Sequence, residues 1–284
     1  MLALIGIIMH PVRSVTMIGT TPTTFRELMT LERVAADFFL GQTPPYAWGR
    51  VYGGQVVAQS LMAAAATVNP DHHVHSLHAY FVLGGTPGEP ILFDVDRLRE
   101  GRSFTTRRVV ARQSGGAILN LDASFQRHEA DYDIQSGGLP EDLPAPESLP
   151  DNEWSGMGDI REIPKTAGVA RSQLWMRVRM APDEDFGDDP VMHACALAYL
   201  SDHNPMDSIV MSHPDRLSWD QMMTASLDHN IWFHRPVRAD HWNLFDMAGH
   251  GLVNARGMAT GSVHSRDGVH LATIAQEGLV RSPR

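Results

Sequence analysis

The 284 residues predict an α+β protein built from two copies of one unit, each a long helix wrapped by antiparallel strands. Three observations point there. A helical pattern entered through Gly53-Gly54 is followed by four strand patterns. The same order recurs after Asp189-Pro190. Two landmarks also return at nearly one separation: Ser76-Leu77 as Ser226-Leu227, 150 residues on, and Gly115-Gly116 as Asp267-Gly268, 152 residues on.

Between Thr24 and Phe39, the apolar residues Phe25, Leu28, Leu31, Ala35 and Phe38 recur at helical spacing and predict a first helix. In the second, Val57, Leu61, Ala64 and Val68 share one face. The glycines ahead of it suit a tight entry turn that leaves backbone N–H groups open at the helix end. Strands are predicted over His75–Leu83, Ile91–Leu98 and Ser103–Gln113. After the Gly115-Gly116 hairpin signal, Leu119, Leu121, Ala123 and Phe125 alternate with Asn120, Asp122, Ser124 and Gln126. The stretch 129–165 is rich in Pro, Gly, Asp and Glu and has little periodicity, so it reads as a surface linker. The expected division is a repeat over 20–128, the linker 129–165 and a second repeat over 166–284. In that second repeat Asp189 suits an N-cap and Pro190 a first helical turn, with Val191, Cys195 and Ala198 on one face. A strand then runs from Ser226 through Ile231-Trp232-Phe233, and Asp267-Gly268 turns the chain into a last strand, Leu271–Val280.

Composition excludes several classes. With 23 Lys+Arg against 33 Asp+Glu the formal charge is −10, and a nucleic-acid binder would need a basic face. The single cysteine, Cys195, permits no internal disulfide, which suits a reducing cytoplasm. The apolar run Met1–Met9 is too short to span a bilayer and lacks a basic leader. It reads as a loose leader, or as an over-long start with Met17 the initiator. No other segment reaches transmembrane length, so a cytoplasmic protein without integral membrane association is expected. Among fifteen histidines, His72, His73, His75 and His78 cluster, but no matching Cys or paired carboxylates accompany them. Strict alternation would also send His75 and His78 to opposite faces. No metal is expected. Arg97, Arg99, Arg102, Arg107 and Arg108 suit either a phosphate-bearing ligand or a solvated strand face.

Val51-Tyr52-Gly53-Gly54-Gln55-Val56-Val57-Ala58-Gln59, Val74-His75-Ser76-Leu77-His78-Ala79-Tyr80-Phe81, the run Asp96–Phe104 with Arg107-Arg108-Val109, and Ala123-Ser124-Phe125-Gln126 form one ordered set of motifs. Ser226-Leu227-Asp228-His229, Trp232-Phe233-His234-Arg235-Pro236 and Ala275–Arg281 continue it. In this set the chain resembles the type II acyl-CoA thioesterase family, the TesB-like double hot-dog enzymes. The resemblance implies a tandem double hot-dog, with one antiparallel sheet wrapped around two central helices. It implies hydrolysis of fatty acyl-CoA to free fatty acid and CoA without a cofactor, and self-association as a dimer or tetramer. It also places a water-holding carboxylate, hydroxyl and amide on Asp202, Ser226 and Gln276. Two departures touch substrate preference: Leu83-Gly84-Gly85 stands where Arg-Pro-Gly is usual, and position 226 is Ser where Thr is common.

The chemistry fits those residue types. Thioester hydrolysis needs an oriented water, a base and donors for the oxyanion. A thiol leaving group, with a pKa near ~8.5, needs little acid assistance. Asp202 continues the face of Val191, Cys195 and Ala198; a fraying helix end would instead turn it to solvent. Ser226 can orient water without reacting, and no Gly-x-Ser-x-Gly elbow surrounds it. Gln276 offers donors and an acceptor in one amide. Outside the resemblance, both read equally as ordinary strand residues. Gly53, Gly54 and Gln55 could present N–H groups at the positive helix end to the thioester oxygen, or simply allow tight packing. Two other readings are an enoyl-CoA hydratase, for which the adjacent Asp202-His203 would point apart, and a non-catalytic acyl-CoA binder. Counting back by motif sets Gln276 against Ser124 and Asp202 against the run Ala63–Ala66, so one active site per chain is expected.

Overall fold

The computed structural model describes residues 21–281 apart from 153, 155, 167 and 214–218. Met1–Met9 and Met17 lie outside the described residues. Thr24 starts α1 (Phe25–Met29) with a capping box: its hydroxyl accepts from the Glu27 N–H, and the Glu27 carboxylate accepts from the Thr24 N–H. The expected helix to Phe39 is overturned there. β1 (Glu32–Ala35) and β2 (Phe38–Gly41) follow as an antiparallel pair. Tertiary pairing decides it, because Phe39 lies opposite Phe93 and is buried, whereas Ala35 and Phe38 face solvent. A Phe-Phe-Leu run fits a half-buried strand better than an isolated helix.

α2 (Gly53–Ala65) is followed by β3 (His72–Phe81), β4 (Ile91–Glu100), β5 (Phe104–Gln113) and β6 (Gly116–Arg127). The second half supplies β7 (Gly158–Glu162), β8 (Arg171–Val178), α3 (Pro190–Ser201), α4 (Pro205–Met211), β9 (Met223–Ser226), β10 (Asp228–Phe233), β11 (Asn243–Val253), β12 (Arg256–Ser265) and β13 (His270–Arg281). Asp189 caps α3 as expected, accepting from the Val191 and Met192 N–H groups at 3.0 and 3.1 Å. The sequence pattern singled out none of β7, β8, β11 and β12. β7 lies inside 129–165 and pairs with β8. β11 and β12 turn on Asn254 and Ala255, both at positive φ (51° and 61°), without the glycine that usually announces such a hairpin.

All pairings are antiparallel, and the strands run β1-β2-β4-β5-β6-β3-β10-β13-β12-β11-β8-β7, with β9 on β13. The halves join where β3 meets β10, Leu77 opposite Ile231. Leu119, Leu121, Ala123 and Phe125 of β6 and Ala272, Ile274 and Gln276 of β13 are all buried on the inner face. Against that face lie α2, buried from Gly54 through Leu61, and α3, buried from Met192 through Ser201. Burial of Leu197 or Leu200 contributes about 1.5–3 kcal/mol each. This is the expected sheet around two central helices.

The helices meet closely at Gly54. A β-carbon there would stand deep inside contact distance of the Tyr199 carbonyl oxygen, and the Tyr52 hydroxyl donates to that oxygen at 2.9 Å. Gly54→Ala is therefore expected to destabilise the fold by about 1–3 kcal/mol, read as a lower midpoint in urea with unchanged m-value. A wild-type midpoint would show that the two helices can separate freely.

Two expectations about charged and histidine clusters change. A β-bulge falls at His75, between Val74 and Ser76. The extra residue shifts the alternation, and His75 and His78 bond outer-face residues, Ser124 at 2.8 Å and Asn230 at 2.9 Å, instead of taking opposite faces. Among the described residues no group of three or more His, Cys, Asp or Glu is arranged to hold a metal. Of the five clustered arginines, Arg107 is fully buried and donates to Thr67 Oγ1, Thr67 O and Glu100. Arg97 pairs with Asp37 and Arg108 with Asp122. Those three are committed inside the chain.

Candidate active site

Asp202 is the C-cap of α3, in helical conformation (φ −79°, ψ −4°) and 9% exposed. Ser226 ends β9, opposite Gly278 of β13, and Gln276 points inward from β13 two residues earlier. The structure brings the three together. The Gln276 amide donates to Ser226 Oγ at 2.9 Å, and that hydroxyl points to Asp202 Oδ1 at 3.5 Å, the outer limit of a hydrogen bond. Burial pushes the Asp202 carboxyl up to about 7, while the Gly54 N–H, the Gln276 amide, the Ser226 hydroxyl and the Arg50 charge pull it back.

Behind the trio stands the last residue of the motif Ser226-Leu227-Asp228-His229. His229, fully buried, hydrogen-bonds through Nδ1 to Gln276 Oε1 and through Nε2 to Ser201 Oγ at 2.7 Å. The amide oxygen can only accept, so Nδ1 carries the proton, and Nε2 is left as an acceptor that shares the single Ser201 proton with the Ala198 carbonyl, 3.0 Å from that hydroxyl. Burial holds the His229 pKa down at about 4, against the opposing pull of Gln276, so the ring is neutral near pH 7. His229 therefore fixes the Gln276 amide with its NH2 towards Ser226. The available signal was parity: His229 and Ile231 share the inward face of β10, where a histidine is out of place without a partner.

The expected donors at the start of α2 are corrected. The Gly54 N–H bonds the Asp202 carboxylate, and the Gln55 N–H bonds the Tyr52 carbonyl at 3.1 Å within the first turn. The Gln55 side chain accepts from the Tyr46 hydroxyl at 2.6 Å and donates to Gln42 O and Gln59 Oε1, both at 3.0 Å. It is a packing residue. Gly53 stays at the open helix end, and a β-carbon there would lie 2.6 Å from Asp202 Oδ2 and 2.9 Å from the Phe81 ring. Trp154 covers this corner, with ring centroids 5.3 Å from Tyr52 and 4.7 Å from His203.

The first-repeat counterparts also shift, by one residue for Gln276 and by two for Ser226. Inward-facing positions align Gln276 with Ala123, because Ser124 faces out towards His75. The matching bulges set Ser226 against Val74.

A carboxylate, hydroxyl and amide converging where two helix ends meet, under one wrapped sheet, define a tandem hot-dog enzyme. Residues 42–126 match the family described as the acyl-CoA thioesterase N-terminal domain, and residues 139–280 match the acyl-CoA thioesterase C-terminal domain. Acyl-coenzyme A thioesterase 8 of Rattus norvegicus is 35% identical over 290 residues, covering 90% of this chain and 88% of that protein. Acyl-CoA thioesterase 2 of Haemophilus influenzae is 33% identical, covering 89% of this chain and 96% of that one. The crystal structure of acyl-CoA thioesterase II TesB2 from Mycobacterium marinum is 36% identical with a TM-score of 0.79, covering 91% and 97% of the two chains. The chain belongs to the type II acyl-CoA thioesterase family.

Proposed function

We propose that the chain hydrolyses fatty acyl-CoA to free fatty acid and CoA, using a water held by Asp202, Ser226 and Gln276 and no cofactor. The observation that carries this reading is a buried carboxyl raised to about 7 beside a fixed hydroxyl and a fixed amide. As a carboxylate, Asp202 takes a proton from the water as its oxygen attacks the thioester carbon. The Gly53 N–H, at the positive end of α2, serves the developing oxyanion. Collapse expels the CoA thiolate, which recovers the proton held by Asp202. Ser226 orients rather than attacks: its neighbours are an amide donor and a carboxylate, and His229 bonds Gln276 instead of Ser226.

The hydratase alternative loses ground. His203 packs on Trp154, and burial holds its pKa down at about 4. A dehydratase domain from Pseudomonas fluorescens shares the fold at a TM-score of 0.53 but only 9% identity. Release of free thiol from a panel of acyl-CoAs tests the reading, and no release from any of them rejects it. The sign of the pH dependence follows from Asp202. Protonated below pH 7 it cannot accept a proton, so kcat/KM is expected to rise with pH through about 7 and then level. A profile flat from pH 5 to 9 would remove Asp202 as the base.

Repeats over 20–128 and 166–284 joined by 129–165, whose β7 adds an edge strand to the second repeat, a cytoplasmic location and a role in fatty-acid metabolism complete the proposal. No helix among the described residues is long and apolar enough to cross a membrane. Tyr80 and Trp232, exposed on the outer face of the β3–β10 seam, support a homo-oligomer. Sedimentation is expected to give a dimer or tetramer, and a monomer at micromolar concentration would rule that out.

A further inference from the structure

The helix pair has two ends, and one carries the chemistry. The Asp202 end combines the start of α2 with the end of α3. The opposite end combines the end of α2 with the start of α3 and holds a cavity of about 490 Å³, within the ~300–1,000 Å³ of small-molecule sites. Val74, which lines this cavity, stands where the second repeat has Ser226; the C-cap of α2, Ala66, stands where α3 ends in Asp202, and Ala123 stands where β13 has Gln276. Phe125, Val191 and Phe233 extend the apolar lining. The mate of the catalytic site has lost its polar trio and kept its space.

Two of the six histidines in that lining carry buried ring nitrogens without a hydrogen bond. His193 is 2% exposed; its Nε2 meets the Gly187 carbonyl at 3.0 Å, while Nδ1 has no hydrogen bond and lies 3.7 Å from Asp240 Oδ1. His72 has both ring nitrogens buried with no partner, so a ligand meets them only when the ring turns into the cavity that His72 lines. An imidazole always carries at least one N–H, so His72 brings a donor for which the protein supplies no acceptor. At the rim, Arg235 is tied to Asp133 and Arg238 to Asp240. The Arg127 guanidinium has no ion pair or hydrogen bond among the described residues. Asp188 and Glu129 share the rim. One uncommitted cation and one unmet donor match a single carboxylate, whereas the phosphates of CoA would meet those two acids.

We infer that this cavity is a second, non-catalytic site for a long-chain fatty carboxylate, with its tail on the apolar lining and its head group at His72 and Arg127. That the carboxylate is the enzyme's own product rests on the proposed hydrolysis; the site does not. The test uses the full chain and a palmitic acid analogue carrying a diazirine near its tail. Irradiation is expected to label Phe125, Val191 or Phe233, as mapped by mass spectrometry. His72→Leu should weaken palmitate binding at this site about ten-fold or more, and Val191→Trp, which fills the cavity, should abolish the label. Both variants should keep the wild-type circular dichroism spectrum and rate of CoA release; His72→Gln serves if the leucine variant does not fold. Labelling confined to the Asp202 end, or wild-type palmitate binding in the folded variants, overturns the inference. Labelling of this cavity by a non-hydrolysable acyl-CoA analogue overturns the carboxylate specificity. Palmitate bound here by a chain that releases no CoA leaves the site standing and removes only the product reading.

Discussion

Asp202→Asn is expected to lower kcat by about 10²–10⁴-fold and, above pH 7, to raise the melting temperature. The substitution keeps the shape of the side chain and removes the base. Its effect on stability follows from the pKa of about 7 in the fold against 3.8 for the free side chain. A carboxyl raised on folding favours the folded state fully below pH 3.8, where both states are protonated. That contribution is lost as pH rises towards 7, because the unfolded chain ionises first. Above pH 7 the native protein holds a buried carboxylate, a cost on the order of a few kcal/mol that asparagine relieves. Thermal melts at pH 4 and pH 8 should therefore separate the two proteins only at the higher pH. A folded Asp202→Asn protein with a near wild-type rate would end the assignment of Asp202 as base.

The two-unit plan was legible because its markers are local. Gly53-Gly54, Asp189-Pro190 and the alternation through Leu119–Phe125 depend on nearest neighbours, and each stands where the pattern put it. What stayed hidden depends on distant pairing. Phe25 and Leu28 are buried on a helix as their spacing implies, yet Phe39 follows Phe93 into the sheet and ends the stripe. The bulge at His75 is one inserted residue, invisible to a count by twos, and it reverses the inference about His75 and His78. The same kind of slip set Gln276 against Ser124 where the inward position is Ala123. Asp202, Ser226 and Gln276 were named through family motifs, since a serine, a glutamine and a helix-end aspartate are unremarkable one at a time. Gln55 follows Gly53-Gly54 directly in sequence, yet its amide spans residues distant in sequence or one turn away, Gln42, Tyr46 and Gln59. His229 was missed for the converse reason: its role exists only through the Gln276 amide and Ser201.

Replacing Gln276 by leucine is expected to lower kcat by about 10²-fold, the usual cost of one fixed donor in a buried site. His229→Leu should lose nearly as much, although His229 touches neither Ser226 nor Asp202. Without the Nδ1 donor the Gln276 amide is free to turn its oxygen towards Ser226, which removes the donor just as the leucine does. The two losses should then not add, and the double variant should be about as slow as the slower single one. The pH profile separates positioning from mere packing. The Gln276 amide is one of the groups holding the Asp202 pKa down, so its loss or misorientation should move the midpoint of kcat/KM above 7. A core defect elsewhere would lower the rate without moving that midpoint. His229→Gln, whose amide can still donate to Gln276 Oε1, should recover part of the rate and return the midpoint towards 7. A folded His229→Leu protein with the wild-type rate and midpoint would show that Gln276 holds its orientation unaided.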